Sequence, residues 1–139
     1  MRRSAAAAAL LGAATLAGCG GSSSSSAAGP RATVQRYFAA VAAGRSGAAC
    51  AELTDQSRQR LGDLAKTLHA NGDGCPAVMR VVLTSVYGKR LGRFAEPRIS
   101  ALHVSGGTAT ATVDGVDRPL RLVDQDGTWR IDFAPAPPD

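Results

Sequence analysis

Aromatic side chains are scarce in this 139-residue chain: one Trp, two Tyr and three Phe make up 4% of it. A core has to be assembled from Val, Leu, Ile and Ala instead, within a hydrophobic content of 45%. Charge is also thin, at 19% of residues, which excludes both a charge-rich disordered chain and a helical coiled coil. Two of the 16 basic residues, Arg2 and Arg3, precede the first apolar run, and without them the formal charge of +5 falls to +3. That surplus is too mild for a nucleic-acid partner, and no aromatics interleave with the basic residues. No Gly-rich phosphate cradle follows a strand-like run, and no Cys-x-x-Cys occurs. The two histidines, His69 and His103, have no ligand-like spacing to a cysteine, so neither a metal nor another cofactor is expected. At this length the chain holds one domain.

The N-terminus carries two arginines, an apolar run from Ala5 to Ala17 and then small residues, the pattern of a signal peptide. Its 13 residues at about 1.5 Å of rise cover roughly 20 Å, short of the ~30 Å of a bilayer's hydrocarbon core. The run therefore drives export and is removed; Arg2-Arg3 also suits twin-arginine export, but Ala stands where the hydrophobic residue expected shortly after that pair would be, which favours general secretion. Leu16-Ala17-Gly18-Cys19 resembles the lipobox of bacterial lipoproteins at all four positions. That resemblance implies cleavage before Cys19, a diacylglycerol on its thiol and acylation of the new N-terminus. Two or more acyl chains anchor stably where one anchors marginally, at about 0.8 kcal/mol per buried CH₂. Gly20 to Gly29 reads GGSSSSSAAG, a tether with nothing to bury and a free-coil reach of roughly 15–20 Å. The expected organisation is a signal peptide over 1–18, a lipidated cysteine and tether over 19–30, a folded domain over 31–134 and a Pro-rich tail over 135–139. The partner implied is the cell membrane, met through a lipid anchor at Cys19 on its non-cytoplasmic side.

With Cys19 acylated, Cys50 and Cys75 are the thiols left in an exported chain, and a disulfide between them is the economical reading.

Helical period governs the first part of the domain. Val34, Tyr37, Phe38 and Val41 form one stripe of a helix over Ala32–Ala43, with Gly44 at the position a C-terminus favours. Ser46 offers a cap for a short apolar turn over Gly47–Leu53. Thr54-Asp55 offers another for a helix that carries Leu61, Leu64 and Leu68 on its buried face and ends near Asn71-Gly72. Pro76 suits the first turn of a further helix, along which Val78, Met79, Val82, Leu83 and Val86 recur. Past Pro97 the period becomes two. Strands are expected over Ile99–Val104, Thr108–Asp114, Leu120–Val123 and Thr128–Phe133, joined by turns short enough for antiparallel hairpins. One face of this sheet lies under helices and the other is wet, with Arg130 and Asp132 on the wet side, so the fold class is α+β.

Val34-x-x-Tyr37-Phe38-Ala39-Ala40, the break at Gly44, the small-residue helix with Cys50 and the run Asp124-Gln125-Asp126-Gly127-Thr128-Trp129-Arg130-Ile131 resemble the nuclear transport factor two-like superfamily over about residues 31–134. Within it, uncharacterised bacterial lipoproteins share this helix, cysteine and Gly-x-Trp-x-Ile pattern. The resemblance implies N-terminal helices packed on a strongly curved antiparallel sheet, a cone able to enclose a pocket. Enzymes of that superfamily, isomerases, dehydratases and cyclases, work with an Asp or His in the cone. Here His103, Asp114 and Trp129 are the candidate pocket residues. No Tyr/Asp pair able to hold an oxyanion accompanies them, because Tyr37 reads as core and Tyr87 as the end of a helix. Asp124-x-Asp126-Gly127 has the composition of half a calcium loop, yet a hairpin explains it.

Residues 30–98 hold 11 basic and 5 acidic side chains, whereas 99–139 hold 3 and 6. Lys89, Arg90, Arg93 and Arg98 cluster in the connection between the last helix and the sheet, where they suit contact with an anionic lipid surface. The expectation is a membrane-anchored envelope lipoprotein with a non-catalytic binding or accessory domain, taking a small apolar ligand or an envelope protein. Its alternative is an enzyme with a carboxylate or His in the cone.

Overall fold

The computed structural model describes residues 29–133. The leader, Cys19, most of the Gly/Ser tether and the Pro-rich tail lie outside the described residues. Among the described residues there are five α-helices: α1 (Pro30–Ala42), α2 (Ser46–Ala51), α3 (Asp55–Thr67), α4 (Gly74–Thr84) and α5 (Val86–Leu91). A 3₁₀ turn, Gly92–Phe94, leads to strands β1 (Ile99–Ser105), β2 (Thr108–Val113), β3 (Leu120–Gln125) and β4 (Thr128–Asp132). The strands form one antiparallel sheet in the order β1-β2-β3-β4, so the chain is an α+β domain.

Local chemistry accounts for the element ends. α1 has Pro30 in its first turn and stops in a Schellman motif: Gly44 at φ +67° donates to Val41 O at 3.0 Å and Arg45 donates to Ala40 O at 2.9 Å. Thr54 caps α3, its Oγ1 accepting the Ser57 N–H at 3.1 Å. β3 and β4 are joined by Asp126-Gly127 with φ +53° and +81°, the left-handed pair that a two-residue hairpin requires.

The core lies between α1 and one face of the sheet. Val34, Phe38 and Val41 are buried with Ala109, Ala111, Val113, Leu122 and Ile131, and Leu102, Leu120 and Trp129 pack at its margin. The alanines of β2 leave room for the α1 side chains to sit down on the sheet. Tyr37 closes one end, edge-on to Phe38 and Phe133 at 5.4 and 6.0 Å between ring centres. Segment Glu52–Thr54 pairs with the free edge of β4, with Leu53 in a parallel bridge to Ile131 and wholly buried. Arg36 grips the same segment from α1, with Nε and Nη2 at 2.9 and 3.0 Å from the two carboxylate oxygens of Glu52.

Three expectations are corrected here. Leu64 and Leu68 do not form a buried stripe on α3; they are 41% and 53% exposed. The face that meets α4 is Leu61 and Ala65 instead, against Ala77 and Val78, because the two helices come closest where they are smallest. A Cβ on Gly62 would lie 3.3 Å from Gly74 Cα. Val86 does not continue α4 either. Ser85, in extended conformation, breaks the helix and caps α5, which turns Val86 outward. The third concerns Asp132, which is buried rather than wet and is taken up below.

Cys50 and Cys75 form a disulfide, 6.1 Å between Cα atoms, that ties α2 to α4. Closing a loop of this size stabilises by about 3–4 kcal/mol through the unfolded chain. Reduction, or the double substitution Cys50→Ala/Cys75→Ala, is expected to lower the unfolding free energy by about that amount, read from urea midpoints with and without reductant.

Burial, with a lesser push from Tyr87, raises the Tyr37 phenol from 10.0 to about 12. The unfolded chain releases this proton near pH 10 and the folded one keeps it until about 12, so the stability tied to it is present below pH 10 and lost as pH rises through that window. Stability should fall by about 2–3 kcal/mol between pH 10 and 12 from this residue, and Tyr37→Phe should remove that part of the fall in a pH series of denaturant melts.

Candidate functional site

The apolar interior on which a cone pocket depends is filled. Ala109, Ala111, Val113, Leu122 and Ile131 pack directly with the side chains of α1. Two solvent-open hollows form elsewhere. One, of about 650 Å³, lies between α2, α3 and α4 beside the disulfide, lined in part by Arg58, Gly62, Lys66 and Pro76. The other, of about 480 Å³, lies between α1 and the loop before β1, with Gln35, Arg36, Ala39 and Glu96 on its walls.

The three candidate pocket residues are not brought together. His103 is exposed on β1 and pairs across the strands with Thr110. Register continues that row through Arg121 to Asp132, on the sheet face opposite Leu102, Ala111 and Ile131. Trp129 packs on the helix-covered face. Asp114 is exposed just beyond β2, where its N–H donates to Arg98 O at 2.9 Å and its carboxylate stands 3.9 Å from Arg98 Nε. Three strand spacings of about 4.8 Å separate His103 from Asp132, too far for an acid and a base to share a proton.

One polar cluster escaped the sequence reading. Asp132 lies against the start of α3, with Oδ1 at 3.3 Å from Ser57 Oγ and 3.4 Å from Thr54 Oγ1, and Oδ2 at 3.3 Å from Arg121 Nη1. Thr54 Oγ1 and Ser57 Oγ are 2.8 Å apart, and the Phe133 N–H donates to Ser57 Oγ at 2.9 Å. A carboxylate only accepts, so the Ser57 hydroxyl donates to Asp132 while its lone pairs take Phe133 N–H and the Thr54 hydroxyl. With its oxygen so engaged, Ser57 is a fastening and not a nucleophile. No local pattern announces the cluster, because it depends on Glu52–Thr54 pairing with a strand nearly 80 positions later; the one hint is Thr54-x-x-Ser57 at a helix start.

The basic group divides. Lys89 and Arg90 sit in the last turn of α5 and Arg93 in the 3₁₀ turn, on helix and not in an open connection. None of the three makes an ion pair with a described residue. Arg98 differs from them in facing a carboxylate, that of Asp114 at 3.9 Å. Next to Lys89 and Arg90, Val86 and Tyr87 are 78% and 62% exposed, the most exposed of the large hydrophobic side chains described.

Among the described residues no three His, Cys, Asp or Glu side chains gather as a metal site, and no helix is long and apolar enough to cross a membrane. Comparison with protein-family models, with curated proteins and with solved structures finds no match.

Asp132→Ala strips the acceptor from Ser57 and the partner from Arg121. An expected loss of about 2–3 kcal/mol follows, moderated because Arg121 is partly solvated, and Ser57→Ala should lose less. Equilibrium unfolding of the two variants measures both, and an unchanged midpoint for Asp132→Ala would show that the cluster fastens nothing.

Proposed function

We propose that this chain is an exported lipoprotein, anchored at Cys19, whose domain is a nuclear transport factor two-like unit serving as a non-catalytic binding or accessory module at the cell envelope. One observation carries the non-catalytic reading: the sheet face that would line a reaction chamber is occupied by Val34, Phe38 and Val41 of α1. General base catalysis wants a carboxylate or imidazole beside an apolar wall with a second group to hold developing charge. His103 and Asp114 are solvated, on a sheet face and a strand end that do not meet. The helices-then-meander order and the placement of α1 over the sheet support the superfamily assignment.

The anchor rests on Leu16-Ala17-Gly18-Cys19 and on the disulfide, a bond suited to an oxidising compartment. Cys19→Ser removes the one lipid acceptor and should shift the protein from the membrane fraction to the supernatant, or leave it unprocessed; correctly cleaved Cys19→Ser protein retained in membranes would refute the anchor. Assay of the wild-type protein against ketosteroid and polyketide-type substrates tests the rest. A rate above background that disappears in Asp114→Asn would replace the module by an enzyme.

A further inference from the structure

Between Asp73 and Glu96 the chain carries four basic residues and no acidic one. Arg80 is engaged with Asn71 O at 2.9 Å, which leaves Lys89, Arg90 and Arg93 as a group with no counter-charge among the described residues. Exposed Val86 and Tyr87 stand one turn before Lys89 and Arg90 on the same short helix. Their presentation is fixed. Gly88 is buried against the end of α4, where a Cβ would run into the Val82 carbonyl oxygen and Leu83 Cα, and Ser85 Oγ accepts the Gly88 N–H at 3.2 Å. The N-terminal turn of α5 is thereby pinned by its back, with its two large apolar side chains outward.

We propose that this corner, Val86 and Tyr87 with Lys89, Arg90 and Arg93, seats on an anionic lipid bilayer and sets the orientation of the domain on the membrane. The chemistry is that of an interfacial contact. A tyrosine ring and an aliphatic side chain enter the headgroup boundary while the cations meet lipid phosphates, each worth about fivefold in partitioning. α5 and the 3₁₀ turn pack against α1, the helix that follows the tether in sequence. The inference rests on the anchored reading only for keeping the corner within reach of the bilayer.

The native chain has one tryptophan, Trp129, in the sheet, which makes wild type the baseline for an indole placed by Tyr87→Trp. The full chain, purified as the cell processes it, is incorporated into phosphatidylcholine vesicles with or without phosphatidylglycerol, in both cases with lipids brominated in their acyl chains. The expected result is strong quenching of the Tyr87→Trp variant on the phosphatidylglycerol vesicles, little on phosphatidylcholine alone, and none beyond baseline in wild type. Adding Lys89→Glu, Arg90→Glu and Arg93→Glu should reduce that quenching at least tenfold. Reversing the exposed Arg31, Arg45 and Arg60 to Glu, an equal change of net charge, should not. Flotation with the vesicles reports the anchor separately, so a chain that floats without quenching overturns this seat and leaves the anchor standing. Equal quenching on both vesicle types, equal loss in the two triple reversals, or a corner that stays out of lipid and takes an acidic protein instead each overturns the proposal.

Discussion

Two backbone hydrogen bonds, Ile131 N–H to Glu52 O at 2.8 Å and Thr54 N–H to Ile131 O at 2.9 Å, join the helical half of the chain to the far edge of its sheet. Four features converge on that seam. Leu53, between the two bonds, is buried in the core; the Cys50 disulfide lies one turn before it; Thr54 caps α3; and Asp132, next along β4, is brought against Thr54 and Ser57. The edge of β4 is covered in the same step, which removes a row of unpaired backbone groups from solvent. In a domain with six aromatic residues in its whole sequence, such polar and covalent fastening supplements a core made largely of alanine, valine and leucine.

The elements themselves were legible. The stripe Val34, Tyr37, Phe38 and Val41, the change of period after Pro97 and the Asp126-Gly127 turn all have local causes, and a local pattern reports a local cause. What the pattern missed depends on partners. Leu64 and Leu68 have the spacing of a buried face, but α4 approaches over Gly62, where the backbones can close, and the leucines are left outside. Asp132 alternates correctly for a wet position, yet the chain that covers it arrives from Thr54 and Ser57. Val86 follows the helical period of Val78, Val82 and Leu83, but Ser85 interrupts the backbone that would have carried it inward.

The candidate site divided along the same line. Carboxylate, imidazole and indole are plain in the sequence, but their grouping depends on the sheet register, and that register sets His103 and Trp129 on opposite faces. Chemistry that needs convergence is the hardest thing to infer from a strand pattern, since a single position decides the face. The basic residues fared differently. A run of like charge close in sequence stays close in space, so Lys89, Arg90 and Arg93 share one helix and the turn that follows it, and of the four only Arg98 faces a carboxylate, that of Asp114.

With its interior packed, the proposed module meets a partner at its surface, and the surface of this chain is electrically lopsided. Residues 30–98, the helical side, carry 11 basic against 5 acidic side chains, while 99–139 carry 3 against 6. Near a negatively charged plane such a molecule turns its helical side inward, and the torque acts before any contact forms. Most of the surplus is spread over exposed helix surfaces and is screened over about 8–10 Å at physiological salt, so it orients without holding. Holding requires a place where unpaired cations and exposed apolar atoms coincide, and at α5 the polypeptide is pinned from behind by Gly88 so that both point outward together. In the proposed orientation, with the helical side toward a bilayer, the threonine-rich open face of the sheet, with Thr108 and Thr110 beside Arg121, is the face turned away from the lipid.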